Sequence, residues 1–307
     1  MLCKPIAPPQ NDSNEASNVA IKMSRANDVM RKAGQREADI VRRLQARDPD
    51  DKMHIVKLVE AFEFRGHYCS VFEHMHMNLR DVLTKFGKNV GINLSAVRIY
   101  AQQILVGLQH IHSCGLIHAD IKLDNIVVDK RMVCAKICDF GTAFDYHETE
   151  AAPYLASRFY RAPEAILGVP YDGSVDVWAA GCCFAELYTG KVLFPGISNN
   201  DMLRLFCELR GPFPKKFLRK GAFTSEHFDE NLTYIHLSGQ APKPIVFTTP
   251  KDFDTVLCST GEGFSSADPA ESKKYSQFKD LLDKCLTLDP KKRWTASQLL
   301  KHPFFSN

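Results

Sequence analysis

The chain has 307 residues, 45% of them hydrophobic and 24% charged, enough for one large folded unit or two lobes and too apolar for a disordered chain. A formal net charge of +3 gives no argument for direct nucleic-acid binding or for a membrane surface, and neither is expected. No stretch approaches the ~20 apolar residues of a membrane span, and the first 18 residues lack the apolar core of a signal peptide.

Residues 1–18 are polar and proline-bearing, and read as an irregular N-terminal segment. A short apolar run at 19–23 predicts a strand carrying Lys22. Residues 28–44 have helical spacing, with Val29, Ala33, Ile40, Val41 and Leu44 as inner positions and Gly34 weakening the helix or marking its start. Residues 56–64 and 67–72 read as two strands joined at Arg65-Gly66. A helix over 94–111 follows, with Val97, Tyr100, Ala101, Ile104, Leu105, Leu108 and Ile111 at three- and four-residue steps.

Short strands are expected at 126–128 and 134–138, with a polar turn at 129–131 between them. Residues 142–172 read as a loop region. Residues 175–187 are apolar nearly all round and predict a buried helix. Further helices are expected at 201–209, 275–286 and 294–300, with a long loop at 238–273. Strands with one helix thus precede a mostly helical remainder, an α+β chain with residues 19–76 as a smaller N-terminal lobe and 77–307 as a larger C-terminal one. Ten cysteines without any C-x-x-C pair, several inside apolar runs, point to free thiols in a reducing, intracellular compartment.

The polar residues that stand out are His118-Ala119-Asp120-Ile121-Lys122-Leu123-Asp124-Asn125, after the long helix, and Asp139-Phe140-Gly141, after the second short strand. A hairpin between them brings Asn125 and Asp139 together as hard oxygen ligands suited to Mg²⁺. Asp120 can accept a hydroxyl proton, and Lys122 can neutralise a transferring phosphoryl group. Taken singly, these aspartates and asparagines read better as turn residues; taken together with Lys122 and Asp139-Phe140-Gly141 they read as a functional site.

HADIKLDN, DFG, Ala162-Pro163-Glu164 and Val19-Ala20-Ile21-Lys22 occur in an order that resembles the eukaryotic protein kinases, from about residue 19 to the C-terminus. The resemblance implies a two-lobed kinase fold and transfer of the ATP γ-phosphoryl to protein serine or threonine hydroxyls. It implies Asp120 as catalytic base, Lys22 on the α/β-phosphates paired with Glu37, and Asn125 and Asp139 as holders of Mg²⁺. Glu73 to Met75 would be the adenine-binding hinge behind Phe72. Asp176 would brace the catalytic loop, and Glu164 would pair with Arg293. The stretch 153–161 is similar to the activation segments of cyclin-dependent and dual-specificity tyrosine-regulated kinases.

Residues 48–52, 87–91 and 202–231 are most similar to the pre-mRNA processing factor 4 kinases, implying a nuclear enzyme acting on spliceosomal proteins. Nothing in the sequence sets an oligomeric state.

Two departures accompany the resemblance. The first glycine in the chain is Gly34, so no G-x-G-x-x-G precedes Lys22. The expectation is that the first strands are missing from this chain; the alternative is that a shorter segment such as 4–10 imitates one. A pseudokinase or scaffold with weak ATP binding is the rival reading that this departure raises. The second departure is Ala119, where the family usually has arginine. By the resemblance, Arg158 and Arg161 then become the anion partners of a phosphate on Tyr154.

Overall fold

The computed structural model describes residues 2–3, 18–88, 90–148, 155–237, 241–258 and 268–306. The segment 4–10 and Tyr154 lie outside the described residues.

The N-terminal part is an antiparallel sheet of β1 (Leu2–Cys3), β2 (Val19–Met23), β3 (Leu58–Phe64) and β4 (His67–Glu73), in the order β1-β2-β4-β3. Leu2 pairs with Ala20 and Cys3 with Val19, so β1 occupies the outer edge of β2. The turn between β3 and β4 has Arg65 at φ 48° and Gly66 at φ 79°. Both lie in the left-handed region that a two-residue hairpin with right-handed strand twist requires.

Helix α1 (Asp28–Gln45) packs on β4 and is started by Asn27, whose side chain accepts from the Met30 N–H at 2.9 Å. Its packed stripe runs through Glu37, Ala38, Ile40, Val41 and Leu44. Val29 and Ala33 are exposed, against expectation, because the packed stripe begins only at the third turn. The strand expected to begin at residue 56 begins at Leu58; the Val56 N–H instead donates to the Ile137 carbonyl at 2.9 Å.

Beyond residue 76 helices dominate. β5 (Met77–Asn78), α2 (Leu79–Val82) and α3 (Leu94–Ser113) come first. All seven predicted inner residues of α3 are buried, and each of the aliphatic side chains larger than alanine contributes roughly 2 kcal/mol of transfer free energy. Gly91, just before α3, has φ 96°, and a Cβ there would lie 1.9 Å from the Tyr188 carbonyl oxygen. Only glycine fits so close a backbone approach.

β6 (Leu116–Ile117), β7 (Ile126–Val128) and β8 (Ala135–Ile137) follow, with β5-β7-β8 forming one antiparallel sheet. The expected loop at 142–172 contains β9 (Phe144–Asp145), paired with β6, and α4 (Pro163–Leu167), which has proline at its first turn. α5 (Ser174–Thr189) is the buried helix, surrounded by α3 and α9 (Pro269–Cys285). Its Trp178 stacks on Phe194 at 5.8 Å and meets Phe206 edge-on at 4.8 Å.

α6 (Asn199–Arg210), α7 (Lys215–Leu218), β10 (Tyr234–His236), β11 (Lys243–Ile245), α8 (Asp254–Leu257) and α10 (Ala296–Leu299) complete the larger lobe. β11, α8 and the first turn of α9 replace part of the loop expected at 238–273; Asp268 caps α9 and Pro269 starts it. The architecture is a two-lobed α+β arrangement, a small antiparallel sheet with one helix followed by a mainly helical part. The cysteines from Cys69 to Cys285 are free, and no described helix is long and apolar enough to cross a membrane.

Candidate active site

The loop between β6 and β7 is held from below by Asp176 at the start of α5. Its carboxylate accepts from the backbone N–H groups of His118 and Ala119, each at 2.9 Å, and pairs with His112 Nε2 at 2.9 Å. Burial alone raises the Asp176 pKa, but these donors outweigh it and hold the carboxyl below its ordinary value. The anchoring offsets a backbone cost, because Ala119 sits at φ 66°, a left-handed conformation unfavourable for alanine.

His118 is fully buried and joins this loop to the segment after β8. Its Nε2 lies 3.1 Å from the Cys138 carbonyl, so it is the protonated nitrogen, and Nδ1 accepts the Asp120 N–H at 3.3 Å. The ring packs edge-on against Phe140, with centroids 4.9 Å apart.

With the loop fixed, Asp120 gathers polar groups. Its Oδ2 accepts from Lys122 Nζ at 2.6 Å and from Asn125 Nδ2 at 3.1 Å. Its Oδ1 accepts from the Ser157 hydroxyl at 2.8 Å and the Ser157 N–H at 3.1 Å. Lys122 Nζ also donates to Ser157 Oγ at 3.1 Å. Ser157 is a site residue that sequence reasoning missed. Its signal was a hydroxyl residue opening SRFYR, in a stretch recognised only as a whole.

A second cluster forms across the lobes. Lys22 Nζ lies 2.7 Å from Glu37 Oε1 and 2.6 Å from Asp139 Oδ1. Burial lowers the Lys22 pKa, but the two carboxylates outweigh it and the net shift is upward. Burial, followed by the Lys22 charge acting against it, leaves Glu37 raised. At Asp139 burial also pushes upward, yet the bond from Lys22 wins and the carboxyl is held low, hence ionised. α1 is further fixed by Arg43, which clasps Asp145 of β9 through two bonds of 2.8 and 3.0 Å.

Between the clusters lies a cavity of about 370 Å³, lined by Ala20, Lys22, Glu37, Val56, Phe72, Glu73, Met75, Asp124, Asn125, Val127, Cys138 and Asp139. Its volume is in the range of small-molecule sites. Ala20, Val56, Val127, Phe72 and Met75 supply apolar walls suited to a flat aromatic ring, while Glu37 and Asp139 gather around Lys22. Ala20 and Val127 had not been singled out, since a lone aliphatic residue carries no chemical signature.

Among the described residues no group of three or more His, Cys, Asp or Glu is arranged to hold a metal ion. Mg²⁺ does not need one, because it commonly takes one or two protein oxygens and completes its shell with phosphate and water. Asn125 and Asp139 offer such a pair on one cavity wall. The Asn125 amide nitrogen is directed at Asp120, leaving its oxygen as the side available to a metal.

The remaining predicted residues are placed as follows. Arg161 is buried, and its guanidinium donates to the carbonyls of Leu155 and Ala156 and to Asn199 Oδ1, at 2.7, 2.9 and 2.6 Å. It is thus engaged by its own segment and by the first residue of α6. Arg158 is exposed and donates to the Ile197 carbonyl at 2.8 Å. Glu164 and Arg293 form a fully buried pair, with Nη2 to Oε2 at 2.9 Å.

The sequence pattern of the protein kinase domain matches residues 10–305. Serine/threonine-protein kinase prp4 of Schizosaccharomyces pombe is 44% identical over 96% of this chain and 62% of its own length. Serine/threonine-protein kinase prpf4B of Dictyostelium discoideum is 44% identical over 94% of this chain and 36% of its own length. Dual specificity tyrosine-phosphorylation-regulated kinase 3 of Rattus norvegicus is 34% identical over 94% of this chain and 49% of its own. The chain therefore spans between about a third and two thirds of the length of these relatives. The match over nearly the whole sequence, carried by a site of this geometry, makes the chain a member of the protein kinase domain family.

Proposed function

We propose that this chain is the catalytic domain of a serine/threonine protein kinase that uses ATP and Mg²⁺ and acts on protein substrates, spliceosomal proteins in the nucleus among them. The observation that carries the reading is the Asp120 cluster. Asp120 Oδ1 already accepts a hydroxyl proton donor, Ser157, at 2.8 Å, with the Lys122 ammonium beside it. A substrate serine or threonine hydroxyl presented to the same carboxylate would meet a base and a cation at hydrogen-bond distance.

In the proposed reaction the substrate hydroxyl oxygen forms a bond to the γ-phosphorus. The bond from that phosphorus to the β–γ bridging oxygen breaks, ADP leaves, and Asp120 takes the hydroxyl proton. Lys122 stabilises charge on the transferring group, and Lys22, oriented by Glu37, holds the α/β-phosphates. The hinge from Glu73 to Met75, behind Phe72, receives the adenine. Asn125 and Asp139 would hold Mg²⁺, which when bound would neutralise charge on the phosphates. Arg158 and Arg161 remain the candidate partners for a phosphate on Tyr154, Arg158 being the more accessible. We place the lobe boundary between residues 76 and 77, with 1–18 as an N-terminal segment.

Incubation with Mg²⁺, γ-labelled ATP and a degenerate serine/threonine peptide library tests the reading. Label should enter serine or threonine, and Asp139→Asn should abolish that transfer. Transfer by Asp139→Asn at the wild-type rate would overturn the mechanism.

A further inference from the structure

Lys136 is a lysine in the middle of β8, between the buried residues Ala135 and Ile137, and is itself 6% exposed. A buried ammonium is tolerated only where it is paired. Its Nζ lies 2.8 Å from both carboxylate oxygens of Asp51 and 2.8 Å from Glu73 Oε1. Glu73 Oε1 also accepts the Lys57 N–H at 2.7 Å, and the Glu73 N–H donates to the Lys57 carbonyl at 2.9 Å. One ammonium therefore joins β8, the connection that follows α1, and the end of β4. The same connection is stitched to β8 by the Ile137 N–H bond to the His54 carbonyl, at 2.8 Å.

Burial acts to lower the Lys136 pKa, and the two carboxylates more than compensate, so the lysine is charged. Lys136 does not line the cavity, whereas Glu73 and Met75 do. As a stabilising device the cluster is modest, since Lys136 is buried but Asp51 is exposed and Glu73 is partly so, and solvent screens the pairs. What it supplies is a fixed position for the groups it joins.

We infer that Lys136 is a positioning residue for the nucleotide: through Glu73 it fixes the backbone on which the adenine rests, and through Asp51 it ties that backbone to the segment following α1. This rests on reading the cavity as the ATP site.

The test is calorimetric binding of Mg·ATP to the wild-type chain and to Lys136→Met, Asp51→Asn, Glu73→Gln and Lys136→Arg, each checked for folding by circular dichroism. Lys136→Met is expected to weaken ATP roughly tenfold, as for removal of one member of a coupled network. Asp51→Asn should weaken it by less, and Lys136→Arg should regain most of the loss. Lys136→Met combined with Glu73→Gln should be no worse than the weaker single variant. If Lys136→Met does not fold, Asp51→Asn and Glu73→Gln decide, since both keep the shape of the side chain. Unchanged ATP affinity in the folded variants, or strictly additive losses, overturns the inference. Absence of ATP binding by the wild-type chain would instead overturn the reading of the cavity.

Discussion

Lys22 and Asp139, 117 residues apart in sequence, meet at 2.6 Å. The pair joins the first long strand of the small lobe to the segment after β8, and Glu37 closes the triangle at 2.7 Å from the same ammonium. Lys22→Met removes the cation that both carboxylates share. The expected result is a large loss of kcat/KM for ATP, by about a hundredfold or more, with the circular dichroism spectrum retained. Steady-state kinetics measure it; unchanged kcat/KM would remove Lys22 from the account.

A site able to take Mg·ATP must be stabilised by it. At a ligand concentration 100 times Kd the gain is about 2.7 kcal/mol, which a thermal melt resolves readily. The kinase reading predicts a rise in Tm that grows with ATP concentration and shrinks in Asp139→Asn. A scaffold that binds no nucleotide predicts a flat response.

Ser157 donates to Asp120 and accepts from Lys122, so it should set the geometry of both. Ser157→Ala is predicted to lower kcat by roughly tenfold or more, the scale of a lost hydrogen bond to a charged group. KM for ATP should stay near its wild-type value, because Ser157 does not line the cavity. A rise in KM with kcat unchanged would contradict this role.

Asp176 is 1% exposed, and its carboxyl is held below its ordinary value of 3.8. Its folded pKa therefore lies under its unfolded one. The stabilisation it contributes is present above about pH 3.8 and is lost as pH falls through the folded value. Asp176→Asn should cost about 3 kcal/mol at neutral pH, by breaking a buried network. The gap between variant and wild type should narrow below pH 3.8. Urea unfolding across that range reads it directly.

Arg293 and Glu164 are both fully buried, and each is the other's counter-charge. Removing either alone is predicted to destabilise by roughly 3–5 kcal/mol, because a lone buried charge remains. Replacing both by apolar residues of similar volume should recover much of that loss. Denaturant titration of the two single variants and the double variant makes the comparison.

Long periodic elements were legible in the sequence. The seven inner residues of α3 are all buried because one stripe packs along the helix's whole length. In α1 the same period pointed to Val29 and Ala33, which are exposed, since periodicity marks a face but not how far its partner extends. β9 has two residues and α4 five, too short for any period to register, so the region read as loop.

The pairing of Lys22 with Glu37 was suggested by family motifs, and the contact of Lys22 with Asp139 was not, because closeness over 117 residues is a property of packing. Lys136 went unremarked for the same reason. Its partners Asp51 and Glu73 are 85 and 63 residues away, and a strand lysine reads as solvated until its burial is known.

The most direct measurement is single-turnover transfer of the γ-phosphoryl from Mg·ATP to a serine peptide, comparing the wild-type chain with Asp120→Asn. The account predicts phosphoserine formation by the wild type and a loss of at least about a hundredfold in the variant, the scale of a positioned general base, with ATP affinity preserved. Equal transfer rates for the two proteins, or no transfer by a wild-type chain shown to bind Mg·ATP, would contradict it.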